Sequence, residues 1–312
     1  MVTPFPGTNP LDDDHLHEEC ALFGIYGTSD AAAHTALGLH ALQHRGQEAS
    51  GIVSFDGETF HSHRALGLVG DIFGDASVIQ KLKGHVAVGH NRYATTGDTV
   101  LRNVQPIYAD FEFGGLAVAH NGNITNAHIL RRELVRRGCL FQSTMDTEVI
   151  NHLISRSTYH TVVDRVIDAL QQVKGAYSLV MLTADGLMGV RDPYGVRPLV
   201  LGRPDETWIL ASETVALDIL GATFIRDAGC ASSSTSISRA PTRSWTGWAS
   251  TRCASASAWS WPRRATCRPT SSCRCPIRAC RRRWAMPRSR ACRSSSASSA
   301  TTMSAAPSSS RP

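Results

Sequence analysis

The pattern of hydrophobic and polar positions divides this chain of 312 residues into two unlike parts. In residues 1–228, short apolar runs bounded by turn residues alternate with stretches in which apolar side chains recur at helical spacing. The runs predict strands, and the helical spacing predicts amphipathic helices. Neither pattern continues through residues 229–312, so we expect the folded domain to end near residue 228.

Several stretches of the first part can be assigned to elements. Strands are expected at 83–95, 113–123, 175–193 and 208–214. Helices are expected at 31–46, 126–138, 145–157 and 161–173. Because strands precede and follow the helices in blocks, we expect an α+β fold of layered sheets with helices outside them.

Composition separates the two parts further. Residues 229–312 contain 15 Arg and 22 Ser but no Leu, Val, Phe, Tyr, Lys, Asp, Glu, Asn, Gln or His. All 26 acidic residues lie in residues 1–228 beside 17 Lys and Arg, so this part is acidic although the whole chain has a net charge of +6. One interpretation of residues 229–312 is a basic tail that binds nucleic acid through phosphates. Its five Trp and seven Cys are unlike a disordered tail.

A shift of reading frame near residue 229 is the second interpretation, and it is the one we favour. Out-of-frame GC-rich codons yield Arg, Ser, Ala, Pro, Cys and Trp. One permitted codon choice for residues 296–311, read one nucleotide earlier, encodes FGLVRNHYVGRTFIQP. We therefore expect residues 229–312 to form a disordered, out-of-frame tail without a nucleic-acid partner. No metal or cluster is assigned to its closely spaced cysteines, Cys267, Cys273, Cys275 and Cys280.

The cellular setting follows from two absences in the sequence. No apolar run reaches the eighteen or so residues that a membrane span needs. Residues 1–19 lack the basic and apolar regions of a secretory signal. Since only Cys20 and Cys139 precede residue 229, we expect a cytoplasmic protein without a disulfide framework.

Cys20 follows two glutamates and opens the apolar run CALFGIYG. A buried cysteine in a first strand is one interpretation. The other is a nucleophile, because cleavage of the Glu19–Cys20 bond would give Cys20 an α-amino group with a pKa of about 8, able to accept the thiol proton. An internal cysteine would need a histidine instead, and none of the 13 histidines has a motif that nominates it.

Three further stretches carry polar residues that could complete a site. Arg92, at the end of a predicted strand, is either a solvated surface charge or a fork for a substrate carboxylate. Asn121 and Gly122 form either a hairpin turn or an oxyanion hole. Asp146 precedes a predicted helix and is either its N-cap or a partner for a substrate ammonium. Together these residues could hold both ends of an amino acid whose side chain reaches Cys20.

From Cys20 to about Asp227 the chain resembles the amidophosphoribosyltransferase family of class II, N-terminal nucleophile, glutamine amidotransferases. The motifs that carry this resemblance are CALFGIYG, ALQHRGQEASGI, HNRYATTG, NVQPIY, AHNGNITNA, QSTMDTEVI, KGAYSLVMLT, RDPYGVRPLVLG, ASETVALD and GATFIRD. Glucosamine-6-phosphate synthase shares the cysteine, the arginine stretch and the Asn-Gly pair. It remains an alternative, although ALQHRGQEASG, RDPYGVRPL and ASETVALD are similar to the first family.

The resemblance implies a domain organisation and a fold. Residues 1–19 would be a propeptide removed autocatalytically, and residues 20–228 a glutaminase domain. The implied fold is a four-layer α/β/β/α sandwich.

The resemblance also implies roles for individual residues. Cys20 would be the nucleophile, and Asn121 with Gly122 the oxyanion hole. Arg92 and Asp146 would bind the carboxylate and ammonium of glutamine. Two weaker assignments, Thr95 and Arg45, add further glutamine contacts.

For the whole family, the implied reaction opens purine biosynthesis. Ammonia from glutamine displaces pyrophosphate from 5-phosphoribosyl 1-pyrophosphate in a homo-oligomeric enzyme that uses Mg²⁺, and some members carry a 4Fe-4S cluster. This chain lacks the phosphate-loop signature of the transferase domain, so only the glutamine-hydrolysing half is expected of it. A catalytically silent sandwich with a basic tail is the remaining alternative.

Overall fold

The computed structural model describes residues 20–93 and 100–228, together with the backbone of two strands at 236–239 and 249–252. The predicted propeptide, Thr95 and the remainder of the predicted tail lie outside the described residues. Within the described part of the chain, no helix combines the length and apolar character needed to cross a bilayer.

Two antiparallel sheets form the centre of the domain. The strands of the first sheet are Ala21–Tyr26 (β1), Ala49–Phe55 (β2), Phe60–Leu66 (β3), Val86–Arg92 (β4), Val200–Arg203 (β9), Trp208–Ala211 (β10) and Thr223–Asp227 (β11). Those of the second are Ile107–Phe111 (β5), Gly114–Ile124 (β6), Gly175–Thr183 (β7), Gly186–Arg191 (β8), Ser236–Arg239 (β12) and Ala249–Arg252 (β13). The strand orders are β11-β9-β10-β1-β4-β2-β3 and β13-β12-β8-β7-β6-β5.

Helices cover the outer face of each sheet. The helices beside the first sheet are Ala31–Ala41 (α1), Val69–Phe73 (α2), Ala76–Lys81 (α3) and Val215–Asp218 (α7). Those beside the second are Ala127–Arg136 (α4), Thr147–Arg156 (α5) and Val162–Gln172 (α6). Two short 3-10 turns, at Gln43–Arg45 and Leu101–Asn103, complete the described elements.

Strand β1 shows how the layers are built. Phe23 and Ile25 pack in the apolar cluster between the first sheet and its helices, whereas Leu22 packs in the cluster between the two sheets. Successive side chains of a strand point to opposite faces, so a strand buried on both faces reads as one continuous apolar run. A third cluster lies between the second sheet and its helices. These layers confirm the expected α/β/β/α sandwich.

The predicted elements are confirmed at most positions. Helices α1, α4, α5 and α6 fall within the four predicted stretches, and the predicted strand 175–193 is the hairpin of β7 and β8. The prediction that no regular element follows residue 229 is wrong at β12 and β13. Strand β12 pairs with β8, opposing Ile237 to Val190. A sheet edge presents backbone donors and acceptors to any extended segment, so this pairing requires no apolar period.

Candidate active site

Cys20 lies immediately before β1, and β1 runs between strands β4 and β10 of the first sheet. Ala21 opposes Asn91 of β4, which brings Cys20 beside the end of that strand. Its Sγ donates to the carbonyl of Tyr93 over 3.6 Å. The thiol is half-buried and lines a cavity, so Cys20 is not a buried core residue. Its φ of 64° lies in the left-handed region, which is rare for a side chain other than glycine.

Arg45 holds the backbone of Cys20 on both sides. The Arg45 carbonyl accepts the Cys20 N–H over 2.8 Å, and the Arg45 Nε donates to the Cys20 carbonyl over 2.9 Å. The Arg45 guanidinium, buried at 1% exposure, forms an ion pair with Glu213, which also contacts His44 Nε2 at 3.1 Å. Burial raises the pKa of Glu213, but Arg45 and His44 together lower it by more. The net pKa of Glu213 therefore lies below its usual value. Arg45 therefore contacts the backbone of Cys20 and is not among the residues that line the cavity.

The structure brings four of the predicted site residues to one cavity: Cys20, Arg92, Gly122 and Asp146. The same cavity, with a volume of about 20 Å³, is also lined by His90, Tyr93, Gln105, His120 and Met145.

Asn121 and Gly122 lie inside β6, where they oppose Ser178 and Tyr177 of β7. The hairpin-turn interpretation is therefore wrong. Asn121 is buried, and its Nδ2 has no hydrogen-bond partner among the described residues. Leaving such a donor unpaired costs about 1–3 kcal/mol. An unpaired donor of this kind is expected where a negative charge develops during a reaction. Gly122 has a φ of 131°, and a Cβ there would lie 2.1 Å from the Ala176 carbonyl.

Asp146 immediately precedes α5, but its carboxylate does not cap that helix. It accepts the backbone N–H of Ile124 over 3.0 Å and faces His120 Nδ1 at 3.4 Å. Burial raises the pKa of Asp146, whereas His120 and these hydrogen bonds lower it, and the net pKa lies below its usual value. The residue is thus a half-buried anion at the cavity, suited to a cationic ligand group.

Two histidines of the cavity were not predicted. His120 Nδ1 lies 3.1 Å from the Thr147 hydroxyl, and its Nε2 has no partner among the described residues. His90 is fully buried and its Nε2 donates to the His120 carbonyl over 3.1 Å. Burial lowers the pKa of His90 to about 3, so it is neutral. The available signal was strand alternation, which puts His90 on the face of Arg92 and His120 on that of Gly122.

Arg92 is buried at 2% exposure, so the interpretation as a solvated surface charge is wrong. Its Nη1 donates to the Asn103 carbonyl over 3.2 Å and to the Met145 Sδ over 2.9 Å. A buried guanidinium retains its charge and favours a planar anion as its ligand. The side chain is therefore placed to meet a carboxylate at the cavity.

The segment 141–146 that carries Asp146 is held by side chains on either side of it. Glu148 accepts the N–H groups of Gln142 and Ser143 over 2.7 and 2.8 Å. Asn103 and Thr144 exchange two hydrogen bonds of 3.1 and 2.9 Å. Burial raises the pKa of Glu148, but His152 and these N–H groups lower it to about 2. The backbone around Asp146 is consequently fixed.

Among residues 20–93 and 100–228, no three His, Cys, Asp or Glu side chains converge in a way that could hold a metal ion. The four tail cysteines considered above lie outside the described residues.

This chain is similar in sequence to proteins of known family. A family model described as a glutamine amidotransferase domain matches residues 90–218. The amidophosphoribosyltransferase of Rhizobium etli is 56% identical over 223 residues, covering 72% of this chain and 45% of that protein. The amidophosphoribosyltransferase of Bacillus subtilis is 44% identical over 213 residues, covering 68% of this chain and 44% of that protein.

Solved structures extend the comparison. The glutamine phosphoribosylpyrophosphate amidotransferase of B. subtilis, complexed with ADP and GMP, matches with a TM-score of 0.68 and 40% sequence identity. The match covers 75% of this chain and 49% of that structure. The chain thus spans less than half the length of these relatives.

Proposed function

Because the chain carries a class II glutamine amidotransferase domain of the amidophosphoribosyltransferase family, we propose that it hydrolyses glutamine with Cys20 as the nucleophile. The observation that carries this proposal is the single cavity lined by Cys20, Arg92, Gly122 and Asp146. A thiol, a cation, a backbone donor and an anion are the groups that binding and cleaving an amino-acid amide requires.

Substrate binding follows from the two charges. Arg92 is proposed to bind the α-carboxylate of glutamine and Asp146 its α-ammonium, which directs the side-chain carboxamide towards Cys20. Thr95, outside the described residues, stays a predicted glutamine contact. For Arg45, the hydrogen bonds to the Cys20 backbone support a positioning role in place of the predicted substrate contact.

The chemistry proceeds in two steps. Removal of residues 1–19 would leave a free α-amino group on Cys20, and the carbonyl of Arg45 already accepts a hydrogen bond from that nitrogen. The amine takes the thiol proton, the thiolate forms a C–S bond with the carboxamide carbon, and Asn121 and Gly122 donate to the oxyanion. Collapse of this intermediate returns the proton to the leaving nitrogen and releases ammonia. Water then hydrolyses the thioester, giving glutamate and restoring the thiol.

The wider reaction of the family is proposed for the gene from which this chain derives. Ammonia formed at Cys20 would react with 5-phosphoribosyl 1-pyrophosphate in a transferase domain that uses Mg²⁺. The whole enzyme would be a homo-oligomer in the cytoplasm. The identity to amidophosphoribosyltransferases supports this proposal. We attribute the composition of residues 229–312 to a shifted reading frame, which sequencing of the DNA across codons 225–232 tests directly.

The glutaminase proposal is tested by covalent labelling. We expect the purified full chain to begin at Cys20 and to react with one equivalent of the glutamine analogue 6-diazo-5-oxo-norleucine, because its electrophilic carbon would occupy the carboxamide position. Intact mass spectrometry reads both the N-terminus and the adduct.

A matched pair of variants identifies the labelled thiol. Cys20→Ala should abolish labelling, and Cys139→Ala, which removes the other cysteine among residues 20–228, should retain it. A chain that keeps Met1 to Glu19 and remains unlabelled would contradict the proposal.

A further inference from the structure

The Met145 side chain contacts the guanidinium of Arg92, the residue proposed to bind the carboxylate of glutamine. Its Sδ accepts a hydrogen bond of 2.9 Å from Nη1 of Arg92, and the Asn103 carbonyl accepts a second bond of 3.2 Å from the same nitrogen. An Nη atom carries two protons, so these contacts use both of them. A thioether is a weak acceptor, whereas a carboxylate is the strongest partner of a guanidinium. A substrate carboxylate would therefore replace the sulfur with a gain in free energy.

Cavity volumes point to the same side chain. The cavity at Cys20 measures about 20 Å³, which is enough for about one water molecule. A second cavity of about 320 Å³ lies alongside it, lined by His128, Arg131 and Thr144 among others. Met145 and Asp146 line both cavities. A ligand that reaches Arg92, Asp146 and Cys20 at once thus needs the small cavity to be enlarged, and Met145 lies between the two.

The backbone around Met145 is fixed, so enlargement falls on its side chain. The Met145 N–H donates to the Ser143 hydroxyl over 3.3 Å, and its carbonyl accepts from Arg131 over 3.5 Å. Neighbouring N–H groups are bound by Glu148 and Asn103. Methionine, in contrast, is unbranched and has three rotatable bonds, which lets it adopt another rotamer at low cost.

We propose that Met145 closes the glutamine site and must leave Arg92 before glutamine binds, so that the residue at position 145 sets the affinity for glutamine. This inference rests on the proposed glutaminase function. Its energetic basis is a population effect. If only a fraction of the molecules have an open site, the apparent affinity for the ligand is reduced to that fraction of the intrinsic affinity. Removing the closing side chain should then strengthen binding, which is the opposite of the effect of removing a substrate contact.

The test compares Met145→Ala with the parent in the full chain. We expect the KM for glutamine to fall about three- to tenfold, the range that corresponds to one released hydrogen bond. Calorimetry in a Cys20→Ala variant expressed from residue 20, which needs no autocatalytic cleavage, should show the same fall in the dissociation constant of glutamine. Met145→Leu removes the sulfur acceptor but keeps the bulk of the side chain. Because that bulk still fills the small cavity, the KM of Met145→Leu should fall less than that of Met145→Ala.

The outcomes separate the two proposals. A parent that hydrolyses glutamine, with a Met145→Ala variant whose KM is unchanged or higher, overturns the role of Met145 and leaves the glutaminase function intact. A parent that neither hydrolyses nor binds glutamine overturns both. Damage to the fold cannot imitate the expected result, because a distorted site would raise the KM.

Discussion

The backbone of Cys20 is held by charged side chains that take no part in lining the cavity. Arg45 bonds to both the N–H and the carbonyl of Cys20, and Glu213 balances its buried charge. A buried guanidinium deprived of its carboxylate is strongly destabilising, although the partial exposure of Glu213 lets water soften that loss. Glu213 is therefore proposed to position Cys20 indirectly, through its ion pair with Arg45.

For Glu213→Ala we expect a fall of about 1–2 kcal/mol in the free energy of unfolding, because Arg45 loses its partner. Labelling of Cys20 by the glutamine analogue should slow by on the order of tenfold, since small displacements of a reacting atom are costly. Chemical denaturation and timed mass spectrometry give the two quantities.

Glu206→Ala is the matched control, because Glu206 pairs with Arg203 on the open surface. It should change neither quantity. Parental labelling rates in Glu213→Ala would show that the ion pair serves stability alone.

At the scale of elements, β6 carries Asn121 and Gly122 in a conformation that its local sequence does not predict. The stretch 113–123 predicts a strand that ends at a turn, but β6 continues to Ile124 and keeps Asn121 and Gly122 within the ladder to β7. The Asn-Gly pair therefore owes its conformation to a neighbouring strand, which cannot be seen in the local sequence. Gly122 is required there by both its φ and the proximity of β7.

Gly122→Ala should lower the free energy of unfolding by about 2 kcal/mol or more and abolish labelling of Cys20, because the added Cβ meets the β7 backbone and displaces the proposed oxyanion donor. Denaturation and the labelling assay measure these effects.

Gly114, at the other end of β6, provides the comparison. Its φ is 106° but no atom lies near its absent Cβ, so Gly114→Ala should cost stability without affecting labelling. An active Gly122→Ala variant would remove the argument for a close-packed oxyanion donor.

Prediction from sequence succeeded where an element carries its own pattern. Helices α5 and α6 follow from apolar faces that recur at helical spacing. The roles of Cys20 and Arg92 stay predictions, which rest on their places at the ends of apolar runs. Strand β3, FHSHRAL, was not assigned because its polar residues hide the alternation. Met145 and Glu213 were also missed. A methionine beside a helix looks like a core residue, and Glu213 is 168 positions from the arginine that it pairs with.

At the scale of the whole molecule, the site exists because two sheets meet face to face. The hydrogen bond from His90 Nε2 to the His120 carbonyl joins β4 of the first sheet to β6 of the second. Which residues of the two sheets come together depends on their packing, and no motif within either strand contains that information. Strand alternation assigns His90 and His120 to the faces of Arg92 and Gly122, but it does not show that these two faces meet at one cavity.

This junction predicts acid sensitivity. His90 has a pKa of about 3 in the folded protein, against 6.5 for an ordinary histidine. Below pH 6.5, His90 binds a proton in the unfolded chain but not in the folded protein. The free energy of unfolding therefore decreases as the pH falls from about 6.5 towards 3. At pH 5 the loss from this residue alone should be about 2 kcal/mol.

Denaturant unfolding at pH 7 and pH 5 measures the effect. His90→Gln, which can still donate to the His120 carbonyl, should show a smaller difference between the two pH values. An equal difference in parent and variant would assign the acid sensitivity to other groups.

The left-handed backbone of Cys20 bears on the proposed removal of residues 1–19. For a residue other than glycine, the left-handed form costs roughly 1–2 kcal/mol. The torsion φ of Cys20 is defined by the carbonyl carbon of the preceding residue, so a chain that begins at Cys20 has no such torsion. Removal of the leader, as proposed, would therefore relieve this cost in the same event that gives Cys20 its α-amino group.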